Sequence, residues 1–143
     1  MEKLTIYTDG SCKGNPGIGA WGMLVVKPDD VIIVKANREN GETTNNRMEL
    51  KAIIDAIRYA LKCNISVDIY TDSMYCINCY KDWKSVWNEN STIRKSAKNV
   101  DLWDELFEMI KDNDPINKIE YVRGHNGNKY NEIIDKVVQG MAK

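Results

Sequence analysis

The sequence predicts an α/β fold, a mixed five-stranded sheet of three antiparallel strands plus two parallel ones, flanked by helices. Two observations carry this. Three strand-like segments follow one another with only short connections, as an antiparallel meander requires. Further along, helical and strand periodicities alternate, which favours parallel pairing through right-handed crossovers. One tetrapeptide also occurs twice, as Ile6-Tyr7-Thr8-Asp9 and Ile69-Tyr70-Thr71-Asp72, each reading as the end of a strand.

Leu4 to Asp9 alternates with a period of two and reads as the first strand. The glycine-rich stretch Gly10 to Gly19 reads as a loop. Ala20 to Lys27 and Val31 to Ala36 are the next two strands, joined by a turn at Pro28-Asp29-Asp30. Thr44 to Leu61 is a long helix, with Ile53, Ala56, Ile57, Ala60 and Leu61 at spacings of three and four. Val67 to Thr71 is the fourth strand, and Ser73 caps a short helix after it. Asp82 to Trp87 reads as helical and Asn88 to Lys98 as a polar loop. Val100 to Ile110 is amphipathic, Ile119 to Val122 is a fifth strand, and a last helix runs from beyond Asn128 to about Ala142.

The length, 143 residues, suits one domain, expected to span residues 1–143. Lys and Arg number 20 against 21 Asp and Glu, so any nucleic-acid surface must come from local clustering of charge. No apolar run approaches the roughly 20 residues of a membrane helix, and Met1 to Leu4 has no signal-peptide pattern. The expectation is a soluble, cytoplasmic protein with no membrane association. Cys12, Cys63, Cys76 and Cys79 are then expected to be free thiols. Cys76 and Cys79 form a C-x2-C, but no second Cys or His pair completes a zinc site.

The repeated tetrapeptide points to chemistry. If its two strands are parallel neighbours, Asp9 and Asp72 emerge at the carboxyl edge of the sheet, where open α/β sheets place their sites. An Asp at that position also serves as an ordinary strand terminator or helix cap. Two in the same apolar context favour a shared site. Glu49 lies one helical turn before Ile53, on the stripe that should face the sheet. A carboxylate aimed at a core is costly unless compensated. Pairing with Arg47 or Lys51 would do this, but those positions project elsewhere on the helix. Asp135 stands in line with Val138 and Ala142 on the last helix. Four carboxylates do not converge ionised without a cation, and oxygen-only ligands suit Mg²⁺ or Mn²⁺. Two such ions about 3.5–4 Å apart clamp a scissile phosphate. The pattern implies phosphodiester hydrolysis.

Tyr7-Thr8-Asp9-Gly10-Ser11, Thr44 to Leu50 (Thr-Asn-Asn-Arg-Met-Glu-Leu), Tyr70-Thr71-Asp72-Ser73, Gly124-His125 and Asn131-Glu132 with Asp135 resemble the motifs of type 1 ribonucleases H, in order and over essentially the whole chain. The resemblance implies the ribonuclease H-like fold and endonucleolytic hydrolysis of the RNA strand of RNA–DNA hybrids. It implies two Mg²⁺ ions, replaceable by Mn²⁺, held by Asp9, Glu49, Asp72 and Asp135, and 5′-phosphate and 3′-hydroxyl ends. His125, the only histidine, matches a residue that assists proton transfer or product release. Cys12, Asn15, Asn45 and Met74 match positions that contact the RNA strand around its 2′-hydroxyls. Thr44 and Asn99 match a pocket for a DNA phosphate, and Tyr75, Trp83 and Trp87 a channel along the deoxyribose strand. For the two tryptophans, an i, i+4 core pair is the bland reading.

Lys81, Lys84, Arg94, Lys95 and Lys98, against only Asp82 and Glu89, form a local basic patch. It resembles the basic protrusion of bacterial members but looks shorter. The chain is expected to act as a monomer, with no protein partner and no further domain before Met1.

Three other readings compete. Gly17 to Gly22 satisfies G-x-G-x-x-G, but a strand rather than a helix follows, against a dinucleotide site. Resolvase- or integrase-like nucleases share similar sheets and carboxylates but act on DNA. Proofreading exonucleases want Asp-x-Glu on the first strand, where this chain has Asp9-Gly10-Ser11. A hybrid-binding module without catalysis is disfavoured by four intact carboxylates.

Overall fold

The computed structural model describes residues 2–123 and 128–143. Its elements run β1 (Lys3–Lys13), β2 (Ile18–Val26), β3 (Ile32–Arg38), α1 (Asn45–Cys63), β4 (Ser66–Thr71), α2 (Met74–Trp83), α3 (Thr92–Ser96), α4 (Val100–Ile110), β5 (Ile116–Tyr121) and α5 (Lys129–Met141). The five strands form one sheet in the order β3-β2-β1-β4-β5. β1 to β3 are an antiparallel meander, whereas β4 and β5 run parallel to β1. The expected mixed sheet is therefore present.

β1 is the central strand and is buried on both faces. Leu4 and Ile6 join the larger core with α1, α2, α4 and β4, while Tyr7 joins the smaller one under α5. The helices form for local reasons. The Thr44 hydroxyl accepts from Arg47 N and caps α1, the Ser73 hydroxyl accepts from Cys76 N and caps α2, and the Asn128 side chain accepts from Asn131 N and caps α5. α1 ends at Asn64, which takes the left-handed conformation its short polar side chain tolerates. Among the described residues no helix is long and apolar enough to cross a membrane.

Four expectations need correction. Gly10 to Gly19 is not a loop. The β1–β2 ladder continues to Lys13↔Ile18, so only residues 14–17 turn the chain. Gly10 serves close approach instead of turning, since a Cβ there would lie 2.3 Å from the backbone N of Glu49. Asp9 is consequently a mid-strand residue. Asp82 to Trp87 is likewise not a separate helix: α2 already runs from Met74, and Lys84 to Val86 form a turn after it. The polar loop from Asn88 to Lys98 contains the one-turn helix α3, capped by the Ser91 hydroxyl accepting from Arg94 N. Its five residues are too few to show periodicity. β5 starts three residues earlier than Ile119, with Ile116 paired to Val67 on the far side of a bulge at Val67/Asp68.

Candidate active site

The duplicated tetrapeptides pair with each other. In the parallel β1–β4 ladder Ile6 faces Ile69 and Tyr7 faces Tyr70. Their phenol rings stack at 5.1 Å, and Tyr130 of α5 packs on Tyr7 at 5.5 Å. Identical register carries both chains to the same end of the sheet, where Asp9 and Asp72 meet.

α1 crosses β1 at this point and brings Glu49 with it. Asp9, Glu49 and Asp72 each offer a carboxylate oxygen, and these oxygens lie within 4.8 Å of one another. Asp9 and Glu49 are buried and Asp72 is exposed. Asp135, half-buried on α5, is near enough to Asp9 to help raise its pKa, but it is not one of the three carboxylates whose oxygens lie within 4.8 Å of one another. The Gly10 N–H donates to Glu49 Oε1. Arg47 and Lys51 do not neutralise Glu49; they pair with Asp101 and Glu39.

Electrostatics follow from the crowding. Burial, then the charges of Asp72 and Asp135, push Asp9 up to about 8. Burial and Asp72 raise Glu49 well above the usual carboxylate range. Asp9 Oδ2 is buried with no hydrogen-bond partner among the described residues. A buried carboxylate oxygen without a donor is costly, and a cation satisfies it. The donor set is all oxygen and strongly anionic, which fits hard divalent ions such as Mg²⁺ or Mn²⁺.

The expected substrate residues lie on β1, α1, α2 and the segments that flank these elements and α4. Half-buried Cys12 lies on β1, its Sγ 3.2 Å from the Thr43 carbonyl. Exposed Asn15, in the turn after β1, accepts from the Asn45 N–H at the start of α1 at 3.2 Å, so these two share one corner. Met74 opens α2 beside Asp72 with 46% of its surface exposed. Thr44 caps α1, and Asn99 stands at the N-cap position of the neighbouring helix α4 without a side-chain cap bond. Tyr75 of α2 joins Asn99, its hydroxyl accepting from Asn99 Nδ2 and Trp103 Nε1, each at 3.0 Å.

Trp83 and Trp87 do form a pair, 5.3 Å apart, with Trp103 and Phe107 beneath them. Both remain half-buried, and the Trp87 Nε1–H donates to Asp104. The basic patch is smaller than its sequence suggests. Arg94 binds Asp104 and Lys84 binds Asp114, leaving Lys81, Lys95 and Lys98 without ion pairs among the described residues. All four cysteines are free thiols. His125 lies outside the described residues. Sequence reasoning missed the Gly10 N–H as a partner of Glu49; the available signal was a glycine directly after Asp9. It also missed the Arg47–Asn99 bond, for which no local signal exists.

Similarity to known proteins agrees with this geometry. A family model described as RNase H matches residues 1–143. A ribonuclease H of Caldicellulosiruptor saccharolyticus is 40% identical, covering 100% of this chain and 98% of its own. LC9-RNase H1, described as a type 1 RNase H with the type 2 active-site motif, is 28% identical with a TM-score of 0.74, covering 99% of this chain and 72% of its own. LC11-RNase H1, solved in complex with RNA/DNA hybrid, shares the fold at 18% identity and TM-score 0.69, covering 99% of this chain and 100% of its own. With the fold, the carboxylate cluster and these relatives in agreement, the chain belongs to the type 1 ribonuclease H family of enzymes.

Proposed function

We propose that this chain hydrolyses the RNA strand of RNA–DNA hybrids endonucleolytically, leaving 5′-phosphate and 3′-hydroxyl ends. One observation carries the reading: Asp9, Glu49 and Asp72 converge within 4.8 Å although two of them are buried. Family membership supports the substrate, and in LC11-RNase H1 the same fold is solved with a hybrid.

In this reading Asp9, Glu49, Asp72 and Asp135 hold two Mg²⁺ ions, with Mn²⁺ able to substitute. Bound there, the ions supply charge that activates a water and stabilises the departing 3′ oxygen. Asp9 contributes the oxygen that lacks a donor. Glu49 is oriented by the Gly10 N–H. His125 assists proton transfer or product release. Cys12, Asn15, Asn45 and Met74 read the RNA strand at its 2′-hydroxyls, the groups that distinguish it from DNA. Thr44 and Asn99 take a DNA phosphate, and Tyr75, Trp83 and Trp87 flank the deoxyribose strand. We further propose that residues 1–143 act as one catalytic domain, as a cytoplasmic monomer needing no protein partner.

The test is cleavage of end-labelled RNA–DNA hybrid, double-stranded RNA, double-stranded DNA and single strands, with and without Mg²⁺. Expected is Mg²⁺-dependent cutting of RNA in the hybrid alone at appreciable rate. Equal cutting of duplex DNA assigns a resolvase-like activity instead.

A further inference from the structure

We propose that Arg47 and the Tyr75 hydroxyl are positioning residues that fix the Asn99 amide for a phosphate of the DNA strand. The inference rests on the reading above, in which Asn99 receives that phosphate.

Asn99 stands at the N-cap of α4, with φ 59° and ψ 35°, yet its side chain makes no cap hydrogen bond. Asparagine at an N-cap ordinarily accepts from the first helical turn. Here the amide is committed elsewhere. Its Oδ1 accepts from Arg47 Nη1 at 3.3 Å, and its Nδ2 donates to the Tyr75 hydroxyl at 3.0 Å. Donor chemistry fixes this orientation. A guanidinium only donates, so the carbonyl end must face Arg47. The Tyr75 oxygen also accepts from the Trp103 indole at 3.0 Å, and its own proton faces the Lys98 carbonyl at 3.5 Å. Flipping the amide would set Nδ2 against a guanidinium and leave the tyrosine oxygen short of a donor. One hydrogen of Nδ2 then remains uncommitted, in a direction the network sets.

Arg47 is itself held in place. Its two terminal nitrogens bind both carboxylate oxygens of Asp101, at 2.9 and 2.8 Å. Such a bidentate pair fixes the guanidinium plane in a way lysine does not reproduce. Three helices thus meet at one amide: α1 through Arg47, α2 through Tyr75 and α4 through Asn99. A donor fixed before binding costs less ordering when the phosphate arrives.

The test compares steady-state kinetics on a hybrid for Tyr75→Phe, Arg47→Lys and Asn99→Ala, and for each of the first two combined with Asn99→Ala. A lost hydrogen bond that acts on binding should raise KM about 3- to 20-fold with kcat within about 2-fold. Expected is that Tyr75→Phe and Arg47→Lys both do so, and that neither adds to the KM of Asn99→Ala, because both act through that amide. Melting curves accompany every variant, and Arg47→Lys, half-exposed, keeps the test open should Tyr75→Phe not fold. If Tyr75→Phe raises KM equally with and without Asn99, the Tyr75 hydroxyl acts on the DNA directly rather than through the amide, and the positioning role is overturned. If Asn99→Ala alone raises KM, positioning fails while the hybrid reading stands. If Asn99→Ala leaves KM unchanged on a hybrid the parent cleaves, the phosphate contact falls and the inference with it.

Discussion

Gly10 and Glu49 are in backbone contact. The Gly10 N–H donates to the Glu49 carboxylate, and a Cβ on residue 10 would sit 2.3 Å from Glu49 N. The central strand and the longest helix approach this closely only because residue 10 has no side chain. Gly10→Ala should therefore displace α1, cost about 1–3 kcal/mol of stability and reduce cleavage by more than the unfolded fraction explains. A thermal melt and a cleavage assay on the same sample check it; a variant as active and stable as the parent would show that α1 adjusts freely.

The carboxylates should be individually indispensable. Asp9→Asn and Asp72→Asn are expected to abolish hybrid cleavage while leaving the circular dichroism spectrum unchanged. Undiminished cleavage in both would remove them from the reaction.

Apo stability should depend on pH. Asp9 ionises at about 8 against an ordinary 3.8, and Glu49 is shifted the same way. A carboxyl with a raised native pKa holds its proton more tightly folded than unfolded. Its contribution is full below the unfolded value and disappears as pH rises through the native one. In metal-free buffer the Tm should fall between pH of about 4 and about 8, by on the order of 1–3 kcal/mol in stability. Mg²⁺ should restore it at the alkaline end, and Asp9→Asn should flatten the profile. A metal-free Tm that rises across that range contradicts this electrostatic picture.

How far the sequence foretold the structure varies by element. The sheet and the long helices were legible because period-two and period-3.6 patterns are local. The pairing of Asp9 with Asp72 was legible through the repeated tetrapeptide. The β1–β2 ladder past Gly10 was not, because glycine signals a turn in isolation and close packing only in tertiary context. The neutralised share of the basic patch was hidden for a similar reason. Asp104 and Asp114, which hold Arg94 and Lys84, lie C-terminal to the basic stretch of residues 81–98.

Binding by the aromatic side should separate from chemistry. Trp83 packs on Trp103 at 5.4 Å and stays half-buried. Trp83→Ala should weaken hybrid binding more than it slows single-turnover cleavage, and added salt should weaken binding further through Lys81, Lys95 and Lys98. Unchanged hybrid affinity, measured by fluorescence anisotropy, would assign Trp83 to the core alone.

His125 should matter to rate and not to metal. His125→Ala is expected to slow turnover about 10²–10⁴-fold, the usual range for acid–base assistance. Calorimetric Mg²⁺ binding should persist, and its loss would make His125 a ligand.

Substrate choice is the central claim, and it is tested most directly by one competition. Equal amounts of labelled RNA–DNA hybrid and labelled duplex DNA of the same sequence are incubated with the purified protein in Mg²⁺. The 2′-hydroxyl contacts proposed for Asn15 and Asn45, joined at 3.2 Å beside the carboxylates, require that the RNA strand of the hybrid be cut while the DNA stays whole. Cleavage of duplex DNA at the same rate as the hybrid would contradict it.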